Sequence, residues 1–186
     1  MNKHISLFLI IFTFNTAGYA QNSKITRATE YGIKAAFVFN FAKFVDWPDE
    51  AFVDATQPIV IGVVGRDPFG LNLVQTVRGK TVKGRNLVVK RFTRIEDLDF
   101  CNILYISSSE KKRMTRIFKK IKDSSVLTIG ETKGFAYEGG MIHLFNMDNK
   151  VRFEINVKTA ERAGLKISSR LLKLAKIVED DHTNEN

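Results

Sequence analysis

Ser107-Ser108-Ser109, His143 and the acids of this chain are the side chains best suited in type to nucleophilic chemistry. A hydrolytic triad needs serine, histidine and carboxylate in one line, with the serine commonly presented on a glycine-flanked strand-to-helix turn. No such elbow surrounds these serines. Gly79-Lys80-Thr81 has the ending of a phosphate-binding loop, but the first glycine of that motif would fall at Val74. The segment also leads into a strand instead of opening a helix, so it reads as a turn. Gly130, Gly134, Gly139 and Gly140 do not fit the dinucleotide-binding spacing and read as loop punctuation. His143 and His182 are the histidines beyond the first residues, and no pair stands at metal-ligand spacing. Cys101 is the single cysteine, so no internal disulfide forms. It opens the apolar run Cys101-Asn102-Ile103-Leu104-Tyr105-Ile106, where a packed, inert thiol is expected. These residues predict no enzyme, no cofactor and no metal, with His143 a satisfied sheet residue.

The charge has a different meaning. The chain has 186 residues, 44% hydrophobic and 26% charged, which suits one domain. Lys plus Arg number 29 against 20 acids, a formal net charge of +9. Lys3 precedes the apolar stretch of residues 5–12, and Gly18-Tyr19-Ala20 offers the small residues a signal peptidase reads. Residues 1–20 are therefore read as a secretory signal peptide, residues 21–178 as a single domain and residues 179–186 as a polar tail. Export makes nucleic acid an improbable partner and leaves anionic lipid headgroups, an acidic protein face or plain solubility. Lys111, Lys112, Arg113, Arg116, Lys119, Lys120 and Lys122 crowd a segment whose Met114, Ile117, Phe118 and Ile121 repeat at i, i+3, i+4, i+7. That pattern predicts an amphipathic helix over 109–122 with a solvated basic face and at most weak contact with an anionic membrane.

The elements that must position these side chains follow from periodicity. Residues 28–45 lack proline and place Ile33, Phe37, Phe41 and Phe44 on one helical face, with Phe39 nearly opposite. Trp47-Pro48 ends that helix. Short apolar runs at 59–64, 87–89, 103–106 and 126–129 read as strands buried on both faces, with a helical stretch near 71–77. A hairpin follows, residues 141–145 and 151–157 around Asn146-Met147-Asp148-Asn149-Lys150. In its second strand Val151, Phe153, Ile155 and Val157 alternate with Arg152, Glu154 and Asn156, which predicts one core face and one polar face. A last helix is expected over 158–178, broken near Gly164, with a basic row Arg162, Lys166, Arg170, Lys173 and Lys176. The sum is an α/β fold, a three-layer α/β/α sandwich with a mostly parallel sheet and a late antiparallel hairpin.

Certain blocks carry a family resemblance. Lys34-Ala35-Ala36-Phe37-Val38-Phe39-Asn40-Phe41-Ala42-Lys43-Phe44-Val45-Asp46-Trp47-Pro48 closely resembles the first helix of the YfiR-like family of periplasmic proteins. Residues 60–70, 101–107, 151–156 and 164–175 agree in order, so the likeness spans about 31–178. The resemblance implies a three-layer α/β sandwich without catalytic activity, a homodimer, and restraint of an inner-membrane diguanylate cyclase or related sensor enzyme by contact with its periplasmic region. Such restraint lowers cyclic di-GMP and with it biofilm formation. Members of the family can carry disulfides; with Cys101 alone, intramolecular redox control is excluded here. A periplasmic small-ligand sensor is the alternative, its pocket outside the strand ends or beneath the Phe-rich helix. The expected recognition surface joins the aromatic Phe39 to outward polar groups: Glu154 and Asn156 from the hairpin, Arg170 and Lys173 from the last helix.

Overall fold

The computed structural model describes the backbone of residues 18–179 and the side chains of residues 28–179. The leader expected over 1–20 lies, but for its last three residues, outside the described residues, as does the tail beyond Glu179. Among the described residues no helix is long and apolar enough to cross a membrane.

Helix α1 (Gly18–Phe44) runs into the short strand β1 (Val45–Asp46). It gives the sheet Tyr31, Ala35, Val38, Phe41 and Ala42, a helical stripe rotated from the expected one. Ile33 is 44% exposed, and Phe37 and Phe44 are half-buried. Phenylalanines at 37, 39, 41 and 44 surround the helix, so their spacing does not fix its phase. Ala35 and Ala42 do, because small side chains let the helix backbone approach the sheet. Phe37 and Phe41 then pack on Phe153, with ring centroids 5.5 and 5.2 Å away. Phe39 does not stand clear of the core as expected: it is half-buried and packed against the same cluster.

The next strands are β2 (Ile59–Val64), β3 (Thr81–Val82), β4 (Arg85–Phe92), β5 (Ile103–Ile106) and β6 (Leu127–Gly130). The short helix α2 (Asn72–Val77) leads from β2 towards the β3–β4 hairpin. A 3-10 turn (Ser108–Arg113) and helix α3 (Met114–Ile121) connect β5 to β6. The hairpin strands are β7 (Ile142–Met147) and β8 (Lys150–Asn156), joined through Asp148 and Asn149 in the left-handed region. This is the backbone of a tight hairpin turn, so the strands run closer to the turn than the sequence suggests.

The last expected helix is not continuous. Helix α4 (Val157–Arg162) stops, and Gly164 takes φ +74°. The chain then pairs β9 (Lys166–Ile167) with β1, makes one turn as α5 (Ser169–Leu172), and ends as β10 (Lys176–Val178) beside β8. Ile167, Ile177 and Val178 are β-branched, and the open edges of β1 and β8 supply the hydrogen bonds that an isolated helix end would lack. The row Arg162, Lys166, Arg170, Lys173 and Lys176 is thus spread over several elements.

The eight-stranded sheet runs β10-β8-β7-β6-β5-β2-β4-β3, antiparallel only in its β8–β7 and β4–β3 pairs. One hydrophobic cluster joins it to α1 and α2, and another joins it to α3 and Phe135, giving the expected three layers. At the base of β5, Asn102 is buried and holds several elements together. Its Oδ1 accepts the Val60 N–H at 2.9 Å, and its own carbonyl accepts the Trp47 indole N–H at 3.2 Å and the Leu127 N–H at 2.9 Å. Replacing Asn102 by Ala strands the buried Val60 amide, and urea unfolding should show a loss of about 1–3 kcal/mol. Trp47→Phe removes one neutral hydrogen bond and should cost about 0.5–1.5 kcal/mol in the same measurement.

Candidate functional site

The chain moves from β2 to β4 on one side, then returns across β2 to place β5 on the other. In open α/β sheets such a reversal leaves a crevice beyond the strand ends, where ligands commonly bind. Here the crevice lies between Gly65 after β2 and Ser107 after β5. Gly65 holds φ +87°, and a Cβ there would lie 2.6 Å from Ser109 Oγ. The close approach lets the Arg66 N–H donate to Ser109 Oγ at 3.0 Å. Tyr31, Arg66, Asp67, Ser107, Ser108, Ser109 and Glu131 line a cavity of about 540 Å³ there.

Glu131, directly after β6, divides this crevice from a second cavity of about 680 Å³. The Tyr31 hydroxyl is 3.1 Å from both Glu131 carboxylate oxygens, and Lys34 Nζ donates to Oε2 at 2.6 Å. Glu30, one helical turn before Lys34, is also 2.6 Å from that ammonium. Burial by itself would lower the Lys34 pKa, but the two carboxylates outweigh it and hold it above its ordinary value. Burial, then the Glu131 charge, raises the Tyr31 phenol. The same causes raise Tyr105, whose hydroxyl is buried without a hydrogen-bond partner, as is Thr132 Oγ1.

The larger cavity also reaches His143, Glu154, Lys133 and Tyr137. His143 Nδ1 is 3.0 Å from Glu154 Oε2, and Lys176 Nζ donates to Glu154 Oε1 at 2.8 Å and to the Tyr137 hydroxyl at 3.3 Å. Burial alone would raise the Glu154 pKa, but the hydrogen bonds from Lys176 and His143 bring it below the usual range.

These contacts correct the outward placement expected for Glu154 and Asn156. Glu154 is 7% exposed and Asn156 is fully buried. Asn156 caps α4 by accepting the Thr159 N–H at 2.9 Å and donates to the Ala136 carbonyl at 2.9 Å. The alternation in β8 was read correctly as two faces, but its polar face is covered by the loop after β6 and flanked by β10. Phe39 stands in the α1 layer beneath the ammonium groups of Lys43 and Lys80, 5.7 and 4.7 Å from its ring centroid. Since Phe153 and Ile155 face α1, Glu154 and Asn156 face the opposite layer, and the sheet separates them from Phe39. Arg170 and Lys173 are exposed at α5. The five expected residues do not form one surface.

Other chemical expectations are also placed. Burial pushes the Cys101 thiol up to about 12, so it remains protonated. Thr81 opens β3, and Lys80 lies over Phe39 instead of beside a phosphate-binding helix. Ser107 and Ser109 hydrogen-bond to each other, and Ser109 also to Glu110, while His143 is held by Glu154. No serine is joined to His143 among the described residues. Among those residues no group of three or more His, Cys, Asp and Glu side chains is placed to hold a metal ion. The Tyr31–Lys34–Glu131 cluster escaped the sequence reading. Its available signal was Lys34, a lysine inside the apolar stripe of α1 with Glu30 four residues before it.

A doubly wound sheet covered on both faces, with mutually neutralised side chains at its strand ends, defines a small three-layer α/β domain. The chain matches the YfiR/HmsC-like family over residues 31–176, and it belongs to that family. The family is regulatory, not catalytic.

The Glu154 network has a defined pH dependence. With its folded pKa below the ordinary value of about 4.3, Glu154 adds stability above that value and loses it as pH falls through the lowered one. At pH 7, Glu154→Gln should destabilise the fold by about 1–3 kcal/mol. Melting curves of the two proteins should converge as pH drops below about 4. A constant gap down to pH 2 would contradict the charge-based account.

Proposed function

We propose that this protein is an exported periplasmic regulator that restrains an inner-membrane diguanylate cyclase by contact with its periplasmic region. Family membership over residues 31–176 carries the reading. The charged side chains of the strand-end site support it, because Glu131, Lys34, Glu154 and Lys176 are paired with one another or with neighbours of this same chain. Recognition of a partner then falls to surface groups. Phe39 supplies an aromatic anchor, and the exposed Lys43 and Lys80 flank it with positive charge that orients an acidic partner face.

The test is capture of the cyclase from an inner-membrane extract by the purified protein, with cyclic di-GMP measured in cells. Loss of the protein should raise cyclic di-GMP. Phe39→Ala should reduce capture at least tenfold, equivalent to about 1.4 kcal/mol, while its thermal melt shows a folded chain. Undiminished capture by folded Phe39→Ala would move the contact elsewhere.

The crevice beyond β2 and β5 favours a second reading, small-ligand sensing, which is compatible with the first. Its lining is polar, with Arg66, Asp67, Ser108 and Glu131, and Ser108 and Glu131 also line the larger cavity. Native mass spectrometry of protein taken from the periplasm should then show an excess mass that is lost on denaturation. A bare polypeptide mass under both conditions would count against a resident ligand.

A further inference from the structure

The two basic rows of the chain differ in how the fold treats them. Around α3 the apolar stripe is buried, with Met114 and Ile117 in the core. Arg113 pairs there with Glu110, Arg116 with Glu96 and Lys122 with Asp123, and Lys120 donates to the Ile95 and Glu96 carbonyls. Lys111, Lys112 and Lys119 remain exposed there, but no large apolar side chain of α3 is exposed beside them. The segment through α5 and β10 differs in that respect. Leu171 anchors the turn in the core, while Leu174 is 73% and Ile177 49% exposed. Arg170 and Lys173 stand among them without an acidic partner among the described residues, and Lys166 precedes them in the same condition. The neighbouring Lys158 and Lys176 do have acidic partners, Glu179 and Glu154. Beyond β10 the sheet ends.

Exposed aliphatic side chains beside unneutralised cations are the combination that seats a protein on an anionic bilayer. The cations gain from headgroup charge, and the aliphatic groups enter the boundary with the acyl chains. An acidic protein face would use the cations but leave Leu174 and Ile177 in water unless it also offered an apolar recess. We infer that the α5–β10 edge, through Arg170, Lys173, Leu174 and Ile177, docks on anionic lipid headgroups. This contact needs no protein partner and is independent of the cyclase reading. It would hold the domain at the membrane surface by weak, reversible adsorption.

The experiment is co-sedimentation of the mature chain with vesicles of phosphatidylglycerol and phosphatidylcholine, against vesicles of phosphatidylcholine alone. Binding is expected only with the anionic lipid and should fall steeply as salt is raised. Arg170→Glu with Lys173→Glu should reduce it at least about tenfold. Lys111→Glu with Lys112→Glu, an equal change of net charge on the α3 side, should leave it within about twofold. Leu174→Ser with Ile177→Ser should weaken binding at unchanged charge, and melts of each variant identify any that fail to fold. Absence of binding to the anionic vesicles overturns the proposal. So does equal loss from the two charge pairs, which would mean non-specific attraction, or full binding by the serine pair. Capture of a protein through this edge without vesicle binding would reassign it to a protein partner.

Discussion

The strands β2, β5 and β6 are buried along their whole length, and this constraint organises the molecule. A parallel strand without a solvent face must be covered twice, so α1 and α2 pack on one side and α3 on the other. Polar side chains are then displaced towards strand ends and edges. The reversal about β2 opens a crevice at one of those ends, and Gly65 allows the two connecting loops to meet there without a Cβ between them. Asn102 does the corresponding work at the other end by completing the hydrogen bonds of backbone that water cannot reach.

Charge follows the same logic. Lys34 lies on the buried side of α1, where an unpaired ammonium would be strongly disfavoured, so it is met by Glu30 from its own helix and Glu131 from the end of β6. Glu154 is likewise held by His143 across the hairpin and Lys176 from the last strand. These partners are distant in sequence, so each cluster exists only when α1, β6, β8 and β10 are in place. The pairing mainly repays the desolvation of burial.

Much of the scaffold could be read from the chain because its signals are local. The run at 59–64 is β2, the stripe Met114, Ile117, Phe118 and Ile121 is α3 with its preceding turn, and the alternation after Val151 is β8. What failed depended on contacts between distant segments. Alternation states that Glu154 and Asn156 oppose Phe153 and Ile155, but not that a loop and another strand cover that second face. The phase of α1 was hidden by phenylalanines on all sides and set by two alanines. The basic spacing of 162–176 looked helical because charge repeats are a weak guide beside a left-handed glycine and two open strand edges. Of the candidate site, His143 and the serines were visible as residue types, whereas the pairing of Lys34 with Glu131 required the fold.

A protein that regulates by contact gains most from a surface already fixed before the partner arrives, since ordering side chains and segments on binding subtracts from affinity. The buried ion cluster has this effect on α1. Lys34 and Tyr31 tie the helix to the end of β6, while Phe37 and Phe41 clasp Phe153 of β8. Phe39 belongs to the same rigid helix, between these two attachments and Val45, with its ring held against the core on one side. On the proposed reading, the internally satisfied site and the contact role of the half-buried Phe39 are two consequences of one arrangement: the paired charges tie the helix to the sheet, and the helix carries the proposed contact group.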